Sequence, residues 1–241
     1  MRVLILKEVR GFLGSLIGQV VVVVFLLLTG LFLWVFPNNI LDTGYADLSP
    51  LFFIAPWVFL FLVPAVTMRS FSEERRTGTI ELLLTKPLTE LQLVLAKYIA
   101  AVILIFFALL PTLVYWYSLN ELAMPKGNLD TGGIIGSYIG LLLLACCFGA
   151  IGVFASSITD NQVVAFMIAV FLCFFLYLGF DLIASFDAFG VLEGPIKSIG
   201  IQEHYASLSR GVVDLRDVLY FLGTITVFLL FTRTALQSRR W

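Results

Sequence analysis

The sequence predicts an all-α membrane protein with six spanning helices, and three observations lead there. The first is composition: 60% of the 241 residues are hydrophobic and 13% are charged, whereas soluble domains sit near 45–50% and roughly 25%. The second is that the apolar residues come in charge-free runs, at 11–41, 48–68, 98–120, 131–159 and 161–180. A hydrocarbon core about 30 Å thick takes roughly 20 helical residues to cross, so each of these runs is long enough. A sixth run, 218–232, is short at about 1.5 Å per residue. Its helix is expected to begin near Asp214 and to end with Arg233 snorkelling to the interface. The third is the distribution of basic charge. Six crossings put both termini on one side, and that side receives Arg2, Lys7, Arg10, Arg69, Arg75, Arg76, Lys86, Lys97, Arg233, Arg239 and Arg240. Only Lys126, Lys197, Arg210 and Arg216 fall on the other. Positive-inside bias therefore predicts cytoplasmic termini.

Taken in order, the spans are expected at 12–36, 51–68, 98–119, 133–155, 163–183 and 215–233, in a single transmembrane domain. Met1–Arg10 reads as a short basic lead-in at the inner interface. The first apolar run is too long for a signal-peptide core and reads as a retained anchor. A turn-rich outer connection surrounds Pro37. Pro56 and Pro64 fall in the second span and Pro111 in the third; bilayers tolerate such prolines where neighbours satisfy the freed carbonyls. Gly132, Gly136 and Gly140 recur at i, i+4 and i+8, one face of the fourth span, where another helix could approach closely. Packing within the bundle is favoured over a subunit contact for that face. The segment 185–214 is too long and too mixed for a simple turn and reads as short outer interfacial helices. Asp214 and Asp217 lie where the positive end of the last helix dipole favours acid.

Several chemistries find no residues to carry them. A net charge of −1 gives no reason to expect nucleic acid. There is no G-x-x-x-x-G-K-[ST] phosphate loop. His204 is the one histidine, and no metal-ligand spacing or Ser/His/Asp constellation can be assembled. Cys146, Cys147 and Cys173 lie inside spans and read as small buried apolar residues. Ionisable groups are missing from the span centres, where ion-driven carriers place them. An energy source outside the chain is the natural expectation, and no cofactor is expected in it.

The densest charge lies on the connection 69–97. Ser70…Glu73 and Thr89…Gln92 both have the form of a capping box, Gly78 permits a sharp turn and Pro87 ends a segment. These signals describe a compact helical elbow with charged side chains facing water. Glu74-Arg75-Arg76-Thr77-Gly78-Thr79-Ile80-Glu81-Leu82-Leu83-Leu84-Thr85-Lys86-Pro87 resembles the coupling segment of ABC-2 type transporter permeases, E-R-x-x-G-T-x-E-x-L-L…P, with Lys97 where that family often has a lysine. His204-Tyr205, then Arg210-Gly211-Val-Val-Asp214-Leu-Arg216-Asp217 and Tyr220, is similar to the pattern before the last helix in the gliding-motility and nitrous-oxide-accessory branch. The opening Lys7-Glu-Val-Arg-Gly-Phe12 with Ser15 fits it too.

The resemblance covers essentially the whole chain. It implies a permease of the bacterial inner membrane whose coupling helix, with Glu73, Glu74, Arg75, Arg76, Gly78, Thr79, Glu81 and Pro87, docks on a separate ATPase subunit of the GldA type that holds ATP and Mg²⁺. It also implies an extracytoplasmic auxiliary subunit of the GldG type, met by His204, Tyr205, Arg210, Gly211, Asp214, Arg216 and Asp217, and a second copy of the permease. The glycine face of the fourth span and Gly14 and Gly18 are contact candidates for that copy. The alternatives are a channel or passive scaffold of an envelope machine, or a nitrous-oxide-accessory or polysaccharide/drug exporter permease.

Overall fold

The computed structural model describes residues 1–37, 39–81, 89–125, 128–185 and 193–238. The chain opens with α1 (Arg2–Leu13) and turns sharply into α2 (Leu16–Trp34). Ser15 makes that turn: its hydroxyl donates to the Phe12 carbonyl at 2.7 Å and accepts from the Gly18 N–H at 3.1 Å, an N-cap that satisfies one free amide of α2. A Cβ on Gly18 would sit 2.1 Å from the Phe12 carbonyl oxygen. Gly18 is therefore used by the chain's own turn.

The remaining helices follow in order. After the short α3 (Ile40–Thr43) come α4 (Ser49–Thr67), α5 (Arg69–Arg76) and α6 (Glu90–Leu109). A 3₁₀ turn at Leu110–Thr112, which holds Pro111, joins α6 to α7 (Leu113–Leu122). Then come α8 (Thr131–Ile158) and α9 (Gln162–Phe174), the latter extended by a π turn at Phe175–Gly179 into α10 (Phe180–Ala184). The short α11 (Glu193–Lys197) and α12 (Ile201–Leu208) precede α13 (Leu215–Gln237). Among the described residues six helical stretches are long and apolar enough to cross a membrane, and there is no strand.

Side-chain caps set several starts. Asp130 accepts from Gly133 N–H, Asn161 from Val163 N–H and Asp214 from Arg216 N–H, at 2.9, 2.9 and 3.0 Å. The Thr89–Gln92 capping box forms in both directions. Because it starts α6 at Glu90, the helix runs well before residue 98, and the stretch Glu90–Leu122 is helical for 33 residues.

Helix α8 is the axis of the bundle. It packs against α4, α5, α6, α9, α12 and α13, and 72% of its most apolar window is buried against 22%, 28% and 22% for the α2, α9–α10 and α13 stretches. Small residues explain the difference. Between helices in lipid there is little hydrophobic drive, so close backbone approach and dispersion hold the bundle. At Gly152 a Cβ would lie 2.0 Å from Thr67 Oγ1 of α4. Helix α1 docks along α6, a firmer placement than an interfacial lead-in.

Candidate functional site

The described parts of the charged connection, 69–81 and the start of α6, form a structured elbow at the end of the bundle that carries the termini. Helix α5 leaves α4 at Met68 with almost no break, so Ser70 falls inside the helix and its expected capping box does not form. The cap comes from another span. Ser156 Oγ of α8 accepts from Phe71 N–H at 2.9 Å and Ser72 N–H at 3.1 Å, and donates to the Met68 carbonyl at 3.0 Å. The free amides of a helix start need acceptors; here a fully buried serine on the central helix supplies one.

Below α5, Lys97 of α6 is 2% exposed. Its ammonium lies 2.9 Å from Glu74 Oε2 and 3.3 Å from Glu8 Oε1 of α1, donates to the Ser70 carbonyl, and sits 5.0 Å above the Phe71 ring. One cation thus joins α1, α5 and α6. A charge held this deeply is tolerable only when paired and hydrogen-bonded.

Among the expected coupling residues, Glu74 turns inward to this cluster and Arg75 is half-buried, whereas Glu73, Arg76, Thr77, Gly78, Thr79 and Glu81 are exposed. Gly78 has φ +69°, the left-handed residue that follows many helix ends, and its N–H bonds to the Arg75 carbonyl at 3.1 Å. Pro87 lies outside the described residues. Sequence reasoning held Glu8 only as part of a family motif, Ser156 only as a small residue of the fourth span, and Lys97 only as an inner-side basic residue and family position; the contacts that join them to α5 were not foreseen.

At the other end, α12 and the start of α13 cap the bundle. His204 Nδ1 is 2.7 Å from Asp217 Oδ1, its Nε2 is 2.9 Å from the Ser198 carbonyl, and its ring stacks on Tyr220 at 3.9 Å. Tyr205 is buried, and its hydroxyl donates to the Phe52 carbonyl at 2.8 Å. Phe52 is four residues before Pro56, so this is the carbonyl that the proline leaves without a helical partner. The glycine face of α8 serves the same cap. A Cβ on Gly136 would lie 2.3 Å from the Gly211 carbonyl oxygen, and one on Gly140 2.4 Å from Leu208 Cβ. A Cβ on Gly132 would meet only Asp130, at 3.5 Å. Gly211 itself has φ +83°. Arg210, Asp214 and Arg216 remain exposed, beside the apolar Val212 and Val213. On α11, Lys197 bonds Glu193 at 2.7 Å; this hydrogen bond holds the Glu193 carboxyl below its usual range and raises Lys197.

Replacing Tyr205 with Phe is expected to cost about 1–3 kcal/mol by orphaning a buried carbonyl, read as a lowered thermal midpoint. Adding Pro56→Ala, which restores an amide to that carbonyl, should recover part of the loss. An unchanged midpoint in Tyr205→Phe would remove this account.

The arrangement holds no catalytic constellation among the described residues, and no cluster of metal-ligating side chains occurs there. Six apolar helices of spanning length, with a charged elbow between two of them, are those of a multi-pass membrane protein. The family model described as ABC-2 family transporter protein matches residues 38–239, and the chain belongs to that family. Membership makes it a transmembrane permease subunit and implies an ATPase partner. A comparison with curated proteins gave no match.

Proposed function

We propose that this permease subunit is driven by an ATPase docking on the exposed face of α5 and the turn after it, Glu73, Arg76, Thr77, Gly78, Thr79 and Glu81. Glu74 and Arg75 support that face from below. The carrying observation is the way α5 is tied down. It continues from α4, its first amides bond to Ser156 of α8, and Glu74 pairs with Lys97 of α6. A partner's push on α5 therefore reaches three spans at once. This end and both termini would face the cytoplasm of a bacterial inner membrane, with ATP and Mg²⁺ held by the ATPase. A second permease copy would complete the assembly through the lipid-exposed sides of α2 and α9.

Within this reading we assign the chain to the gliding-motility branch, as a GldF-type subunit with a GldA-like ATPase and a GldG-like auxiliary subunit at the other end. The support is the resemblance of the outer motif. His204, Tyr205, Asp217 and Tyr220 are engaged within the cap, so the surface offered to the auxiliary subunit is Arg210 and Arg216 with Val212 and Val213; Gly211 and Asp214 shape the turn that presents it.

The test is association of the ATPase with the purified full chain. The double reversal Glu73→Lys/Arg76→Glu touches exposed side chains and leaves the Lys97 cluster intact. It is expected to weaken association by about tenfold or more, since an opposed charge pair at an interface costs at least about 2 kcal/mol. Undiminished association would remove the exposed face of α5 as the docking element. Absence of any associating ATPase would favour a passive scaffold.

A further inference from the structure

Beside the Lys97 cluster, α1, the α4–α5 junction and α6 enclose a cleft of about 380 Å³. Its floor is apolar, with the small Gly11, Val66, Ala100 and Ala101 beside the larger Phe12 and Leu104. The space is open: a Cβ built on Gly11 would meet nothing within 4 Å. Its rim is polar and of both signs, with Lys7 and Arg69 against Glu8 and Glu73, and with the hydroxyls of Thr77 and Thr79. Arg69 also pairs with Glu73 at 3.6 Å. At the base, Lys97 is already met by Glu74 and Glu8. Three cations and three carboxylates therefore line the cleft, and their formal charges sum to zero.

The position is as informative as the charge. Arg69 follows immediately on the spanning helix α4, and Lys7 and Glu8 precede α2, so the rim lies where hydrocarbon gives way to water. The floor continues along spanning segments of α4 and α6. A ligand fitting both parts must carry an anionic and a cationic group at one end and hydrocarbon at the other.

We propose that this cleft binds one phospholipid with a zwitterionic, primary-amine headgroup, a phosphatidylethanolamine. Lys7 and Arg69 meet its phosphodiester, Glu8 and Glu73 accept from its ammonium, and an acyl chain follows the Gly11–Ala100–Ala101 floor. A neutral set of opposed charges gives no advantage to a net anion such as phosphatidylglycerol. Phosphatidylcholine keeps the charges but has no ammonium N–H to donate. The inference is argued from the cleft; because Glu73, Thr77 and Thr79 of its rim also belong to the face proposed for the ATPase, it is tested on the chain without that partner.

Native mass spectrometry of the purified full chain, offered equimolar phosphatidylethanolamine, phosphatidylcholine and phosphatidylglycerol with the same acyl chains, tests it. One phosphatidylethanolamine per chain is expected, preferred by about tenfold over each of the others, as the loss of a charge-assisted hydrogen bond implies. Gly11→Leu fills open space, so the protein should fold and lose the lipid; Glu73→Gln should keep binding but narrow the preference over phosphatidylcholine. Acyl-free glycerophosphoethanolamine or inorganic phosphate should not compete at the same concentration. Equal retention of the three lipids, a preference for phosphatidylglycerol, retention by Gly11→Leu at the level of the unaltered chain, or competition by either acyl-free probe would overturn the proposal.

Discussion

Lys97→Met is expected to destabilise the protein by about 3–5 kcal/mol, the range found when one member of a buried ion pair is removed. The reason is what remains behind. Glu74 and Glu8 would then face each other with no cation between them, and Glu74 is buried. The Ser70 carbonyl would lose its donor from Lys97. Methionine fills similar volume, so the loss is electrostatic and not a cavity. The measurement is thermal unfolding of the chain in nanodiscs of fixed lipid composition. A double variant, Lys97→Met with Glu74→Gln, removes one of the stranded charges and should recover much of the loss, because apolar or neutral replacement of both members of a buried pair is often close to neutral. Full stability in Lys97→Met, or no recovery in the double variant, would show that the cluster is incidental to the elbow.

Much of the fold was legible because a bilayer leaves few choices. Length of apolar run locates six helices without any knowledge of their contacts. Caps were legible where the partner is local: Thr89 with Gln92, and Asp214 at the start of α13, involve neighbours in sequence. The Ser70…Glu73 pattern failed for the opposite reason. With α5 following α4 so directly, the amides of its first turn face α8, and Ser156, far away in sequence, reaches them.

The same division runs through the site. The exposed charge of Glu73, Arg76 and Glu81 stands out in an apolar chain, and Gly78 announces its turn. That Glu74 belongs to the interior while its neighbour Glu73 does not depends on the register of α5 against α6, which no local pattern gives. Lys97 carried a signal of its own: a lone cation directly flanked by Val94, Leu95, Ala96 and Tyr98 needs a buried anion. The partner Glu8 lies 89 residues away. The outer motif was visible as a pattern of polar residues, but its service to the proline-freed Phe52 carbonyl required the approach of α12 to α4.

Ser156→Ala is expected to loosen α5 from the central helix while leaving its exposed face unchanged. The substitution deletes one oxygen and adds no bulk. It strands the amides of Phe71 and Ser72, both fully buried, and removes one donor to the Met68 carbonyl. An orphaned buried amide costs about 1–3 kcal/mol, and an α5 that lifts away to reach water escapes that cost by giving up its hold on α8. Hydrogen exchange at the Phe71 and Ser72 amides should therefore accelerate by about tenfold or more, since each 1.4 kcal/mol is a factor of ten. Exchange in α13, which shares no bond with Ser156, should stay the same. In the assembled transporter the ATPase should still associate, because Glu73, Arg76 and Glu81 remain exposed, but turnover of ATP should lose its dependence on the permease. Unchanged exchange at the two amides would mean that α5 is held by Lys97 and Phe71 alone. Accelerated exchange with permease-dependent ATP turnover intact would mean that force from α5 reaches the bundle through α4 and α6 without α8.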